Sequence, residues 1–300
     1  MKTRGIFPSL LNFLGRRVLP SATIMAFALP LAACNAPRIE SPVESAGPCR
    51  TTYISAATVT TNATEGNPFI ARYLAAGDAA QSWRQAATLC PSQFSVYTMK
   101  SAQMQWLQQS LSPIVGASPT HAKAALANLN DIVALNVSND ALASMALAED
   151  RAGFEIEVLA ARGVGGATLQ LSDDHKAIAS RLISLEAKDS SAAAAPNDPR
   201  QKVYDVGNLL AHPDTITDPS TGLQAPTVAV AEMNCARESL TALANTFPTS
   251  NTAKNNGSRD KTPRSTGSSK SLAVLSDLIS SRIYLALSLG YPAFDHALYE

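Results

Sequence analysis

The sequence predicts an all-α protein in which a helical hairpin leads into a four-helix bundle. Three observations carry this. Alanine, leucine, glutamine and lysine fill the periodic segments, while aromatic and β-branched runs are scarce, so helix is the default state. Apolar residues recur at alternating spacings of four and three, the mark of one buried helix face. Prolines, glycines and capping residues punctuate these stripes where helices should start and stop.

Taken in order, residues 34–66 carry Pro, Ser, Thr, Asn and Gly with little periodicity and are expected as a flexible tether. Asn67-Pro68 then offers an N-cap followed by proline at the first helical position. Phe69, Tyr73, Ala76, Ala80, Trp83, Ala87 and Cys90 line one face of the helix that follows. Pro91 ends it and opens a second helix over about 92–111, so that Trp83 and Trp106 sit in one hairpin as core residues. Pro119 opens a third helix reaching Leu135, which completes an N-terminal extension over 67–137.

The bundle is expected over 138–300. Leu142, Met145, Glu149, Ala152, Ile156 and Leu159 form an unbroken stripe with one carboxylate in its middle, and Gly163, Gly165 and Gly166 end that helix. Ser172 is placed to cap the next, about 173–188, whose inner line is His175, Ile178, Leu182 and Leu185. A long connection over about 189–225 leads to a helix at 226–246, with Ala229, Met233, Ala236, Leu240 and Leu243 in line and Glu232 and Cys235 beside it. Residues 248–270 are a polar insert with nothing apolar to bury, expected to be disordered. In the last helix, 271–289, the stripe Leu272, Leu275, Ile279, Arg282, Ala286 and Leu289 holds an arginine in its middle, and Gly290 is the stop.

The first 33 residues contain Lys2, Arg4, Arg16 and Arg17 and no acid, then a short apolar stretch broken by Pro20 and Pro30. This is the layout of a secretory signal rather than of a membrane span. Leu31-Ala32-Ala33-Cys34 resembles the bacterial lipobox, which implies lipid on Cys34 as the mature N-terminus. Arg16-Arg17-Val18-Leu19 loosely resembles a twin-arginine signal, although an ordinary basic n-region accounts for it better. The whole chain has 24 basic and 24 acidic residues, and without the signal 20 basic remain, a net charge of −4 that argues against nucleic-acid binding. With Cys34 lipidated, Cys49, Cys90 and Cys235 remain in an oxidising compartment. Of the three possible pairings, Cys49–Cys90 is favoured by chain reach, which leaves Cys235 as a buried thiol.

A closer likeness lies in short motifs of the bundle. Ala148-Glu149-Asp150-Arg151-Ala152, Val158-Leu159-Ala160-Ala161-Arg162, His175-Lys176-Ala177, Tyr204, Thr217-Asp218-Pro219, Glu232, Arg282 and Gly290-Tyr291-Pro292-Ala293-Phe294 resemble a ferritin-like domain family of unknown function found in bacterial lipoproteins. The likeness covers roughly 140–298 and implies a ferritin-like four-helix bundle, but no activity. Ferritin-like di-iron sites need Glu-x-x-His pairs. Here the residues three before His121, His175, His212 and His296 are Ser118, Ser172, Leu209 and Ala293. With the first bundle hairpin turning near residue 166, Glu149 falls opposite Leu182 and Ile183, and His175 opposite Glu157. No metal or other cofactor is therefore expected, with Glu149, Glu157, His175 and Glu232 as the fallback ligands. Instead, Glu149, Glu232 or both are expected to pair with Arg282 in the bundle interior, because an ionised group on an apolar stripe needs a partner.

There is no Gly-x-Ser-x-Gly, CxxC or HExxH pattern to suggest an enzyme, and no catalytic residue is assigned. The leading functional expectation is a non-catalytic binding or structural module, tied to the extracytoplasmic face of a bacterial membrane by the Cys34 lipid. Its partners would be the bilayer itself and other envelope proteins. The groove between hairpin and bundle could also hold a ligand, and the sequence names none. One alternative is a ferritin-like metal or redox protein with atypical ligands. Another is the solute-binding lipoprotein of a transporter, which would need alternating strands and helices.

Overall fold

The computed structural model describes residues 47–64, 66–118, 129–186, 198–244 and 266–299, with side chains from 269 in the last segment. The signal peptide, the Cys34 lipidation site, residues 119–128 of the helix expected over 119–135 and residues 248–265 of the polar insert lie outside these residues. The described end of that helix stops at Asn130, short of the expected Leu135, and residues 266–270, expected to be disordered, begin the last helix.

The chain opens with α1, Pro48–Thr64, where a flexible tether was expected. The segment lacks a large-residue stripe, but Ala56 and Ala63 are fully buried on its inner face. Its threonines, poor helix formers, return their hydroxyls to the carbonyl four residues back, as Thr52 does to Pro48 (2.8 Å) and Thr60 to Ala56 (2.8 Å). Docking on α2, Phe69–Leu89, supplies the stability that propensity withholds. Trp83 of α2 is buried and donates its indole N–H to Thr60 Oγ1 at 2.7 Å. A disulfide joins Cys49 to Cys90, with Cα atoms 5.2 Å apart. Pro68 stands at the N-cap of α2, not at its first helical position; Asn67 turns back to donate to the Asn62 carbonyl.

Pro91–Gln93 form a 3-10 turn into α3, Phe94–Val115, which ends at Gly116 in the left-handed region. It outruns its expected end, with Pro113 accommodated in the last turn. Next comes α4, Asn139–Ala161, capped by Ser138 Oγ. Thr168, not Ser172, caps α5, Leu169–Ser184, and Ser172 is buried in its first turn. The connection that follows carries the short α6, Gly207–Ala211, and a hairpin of β1, Thr215–Thr217, and β2, Gln224–Pro226, paired antiparallel with Ile216 opposite Ala225. The long helices close with α7, Thr227–Ala244, and α8, Thr266–Ser288, before a 3-10 turn at His296–Tyr299.

The packing is helix on helix. α4 lies between α5 and α7, α7 packs on α8, and α8 packs on α2 and α3. One core therefore runs from Ala56 in α1 through Trp83, Leu142 and Ile279 to Leu298. Ser269–Ser288 is long and apolar enough to cross a membrane, but in this fold most of it is buried against its neighbours. The described residues are thus all-α apart from one two-stranded hairpin, without the alternating sheet that a transporter's solute-binding protein would need.

Candidate functional site

Each long helix of the C-terminal half contributes one ionisable side chain to a single interior point. The stripe on α4 buries all six of its expected residues, and Glu149 among them is 1% exposed. α5 contributes His175, α7 Glu232 and α8 Arg282, each no more than 1% exposed. Arg282 donates Nε to Glu149 Oε1 at 3.2 Å and Nη2 to Glu149 Oε2 at 2.8 Å, the two-pronged grip that guanidinium offers a carboxylate. His175 lies between the carboxylates: Nδ1 is 2.6 Å from Glu149 Oε2, and Nε2 is 2.8 Å from Glu232 Oε1. Arg282 Nη1 and Glu232 Oε2 face each other at 4.0 Å, and neither has a hydrogen-bond partner among the described residues.

The electrostatics follow from this geometry. Burial alone would raise the Glu149 carboxyl, but Arg282 and His175 outweigh it and hold the group down at about 2. Burial and Arg282 both push the His175 imidazolium toward losing a proton, yet the two carboxylates prevail and its pKa is raised. Burial also works against the charge of Arg282, and Glu149 and Glu232 reverse that, raising it. With both carboxylates ionised, each ring nitrogen of His175 is a donor. Two anions and two cations then leave the cluster neutral, which is the condition for keeping it in a sealed interior.

Two further groups border the cluster. Cys235, a turn after Glu232 on α7, is buried, and burial pushes its thiol well up. Its sulfur, a Glu149 oxygen and a His175 nitrogen all lie within 4.8 Å of one another. Glu155 on α4 is half-buried, and burial raises it to about 7 against the pull of Arg151.

Of the residues expected at the site, the structure brings together the ion-pair residues Glu149, Glu232 and Arg282 and, from the fallback ligands, His175. Glu157 is not among them, because it is part-exposed and paired with Lys176. The expected register was wrong for a physical reason. Gly153, lacking a Cβ, lets α5 approach until Ser172, His175 and Lys176 lie against it. A turn centred on residue 166 would have put residue 179 there. The pairing is thus offset by about one helical turn from the expected one, which sets His175 on Glu149 rather than on Glu157. Cys235 was read only as a buried thiol. Its signal was Glu232-x-x-Cys235, two potential ligands at helical spacing on one face.

A second buried network pins the crossover to the C-terminal tail. Asp218, fully buried, accepts from Tyr291 Oη at 2.5 Å and from Arg237. Beside it, a cleft of about 650 Å³ is lined by Ser220, Thr221, Asn234, Arg237 and Thr241. A smaller one of about 280 Å³ lies between Val96 and Met99 of α3 and Leu240 and Thr241 of α7.

The four-residue cluster does not suit a dinuclear metal centre of the ferritin kind. Such a centre needs carboxylates and imidazoles from all four helices, and here α8 inserts a guanidinium that already grips Glu149. The chain matches no family model, no curated protein and no solved structure.

Proposed function

We propose that this chain is a bacterial lipoprotein, anchored by lipid on Cys34 at the extracytoplasmic face of the membrane, whose ferritin-like bundle serves as a non-catalytic binding or structural module. The observation that carries the reading is the neutral Glu149–His175–Glu232–Arg282 cluster. It draws one side chain from each bundle helix, and each of these is at most 1% exposed. Buried among the described residues and bonded to one another, these side chains hold the four helices in register. The order of the helices, with a long connection between α5 and α7, supports the ferritin-like reading. The clefts beside Arg237 and between α3 and α7 offer the module its binding face.

Expression of the full chain in a bacterium with an alkyne-tagged fatty acid tests the anchoring. The label should appear on the chain, and the chain should sediment with membranes. Cys34→Ser should lose the label. A wild-type chain that takes up no label, or a Cys34→Ser chain that still takes it up, would remove the reading.

A further inference from the structure

We infer that Glu149, His175 and Cys235 form a mononuclear site for a borderline divalent cation of the zinc kind. The inference goes beyond the reading above and does not rest on it. Three ligand atoms of three chemical types, carboxylate oxygen, imidazole nitrogen and thiol sulfur, already lie within 4.8 Å of one another. Mixed N, O and S donors suit zinc, and three protein ligands are a common set for it. All three residues are buried, which spares a bound ion from competition by water.

A second observation points the same way. His175 is oriented as a metal-binding histidine is: with Nδ1 turned toward Glu149, its Nε2–H donates to Glu232 Oε1 at 2.8 Å, the outer carboxylate that fixes the tautomer and strengthens the ligand. The other oxygen of Glu232 is buried with no hydrogen-bond partner among the described residues. Arg282 Nη1, the cation that faces it, stands at 4.0 Å, too far for a hydrogen bond, so that oxygen is left under-matched.

The charges balance in both states. Without metal, two carboxylates face one imidazolium and one guanidinium, with the thiol neutral. On binding, Nδ1–H of His175 and S–H of Cys235 give up their protons to solvent and one dication enters. Two carboxylates and a thiolate then face the dication and Arg282, and the interior is again neutral. Arg282 keeps its hold on Glu149 Oε1 while Oε2 turns to the metal. The groups that oppose or favour this exchange are Glu149, Glu232, Arg282 and, for the thiol, Glu238. None is lost in the process.

The test is a cobalt(II) titration of the full-length chain, stripped with chelator and held in detergent with Cys49–Cys90 oxidised. One equivalent should bring up a thiolate-to-cobalt charge-transfer band, and one equivalent of zinc should bleach it. The band should persist in Cys34→Ser, which rules out a contribution from that sulfur. Cys235→Ser should keep its helical circular dichroism and lose the band. Glu232→Gln should keep the band and weaken cobalt binding about 10–100-fold. A folded wild-type chain that shows no band in excess cobalt, or an equal band in Cys235→Ser, overturns the inference. Neither result touches the fatty-acid labelling that tests the anchoring.

Discussion

Arg282 faces both carboxylates of the bundle interior, so its removal leaves two anions with His175 as their one cation. Arg282→Leu should cost about 3–5 kcal/mol, a fall of roughly 6–20 °C in the melting midpoint. Glu149→Leu combined with Arg282→Leu should cost less than the two changes summed, because the pair leaves together. An additive double variant would mean that the two side chains do not interact. Acid should act on the same groups. Glu149 is held at about 2, below its ordinary 4.5, and Asp218 is also lowered, with Tyr291 and Arg237 outweighing its burial. A lowered folded pKa contributes stability that is complete above the ordinary value and is lost as pH falls through the folded one. For chelator-treated protein, denaturant midpoints should therefore fall steeply from about pH 5 toward pH 2. They should also decline as pH rises toward about 7 and beyond, because Glu155 and His175 have raised folded pKa values whose stabilisation is lost in that direction. At this scale the charged members were legible, because a carboxylate or guanidinium inside an apolar stripe stands out. His175 had the right face but the wrong partner, since its partner depends on how closely two helices approach.

That approach is a property of the α4–α5 pair, and Gly153 sets it. A Cβ there would lie 3.0 Å from the Ser172 carbonyl and 3.2 Å from His175 Cβ, so α5 would have to move outward. Gly153→Ala sets a gain of about 1 kcal/mol in helix propensity against this strain. Gly153→Val adds branching and volume and should destabilise by about 1–3 kcal/mol. Thermal melts of the two variants should rank wild type above valine, and the His175 ring NMR signals should shift in both. A valine variant as stable as wild type would mean that the helices do not meet at Gly153. Helix positions were otherwise readable from apolar spacing and from proline and glycine. The exceptions share a cause. α1 has small alanines and self-bonded threonines on its faces, so its stripe is too faint to see against loop composition. Thr168 rather than Ser172 caps α5 because an N-cap is chosen by where the chain leaves the turn, and several hydroxyls compete.

In the whole molecule, hairpin and bundle share one core. Thr98 meets Ser276 at 3.2 Å, Arg84 pairs with Asp277 at 2.7 Å, and Trp106 packs edge-on against Phe294. The periodicities announced helices but not which helix would be the hub. α8 serves both halves because its apolar surface, from Leu272 to Leu287, is wider than a single stripe.

The disulfide at the start of α1 decides how the protein carries load. Tension applied to the chain ahead of Cys49 passes through the sulfur bridge directly to Cys90, at the far end of α2, a bypass 41 residues long. α1 and α2 thus hang as a slack loop beside the line of force, and a pull would first reach the Pro91 turn and α3. Stretched in single-molecule tweezers, the oxidised chain should unfold about 140 Å shorter than the reduced one, the contour of the residues held out of the line. A domain built this way can be pulled from the side of its first helix without that helix being peeled away.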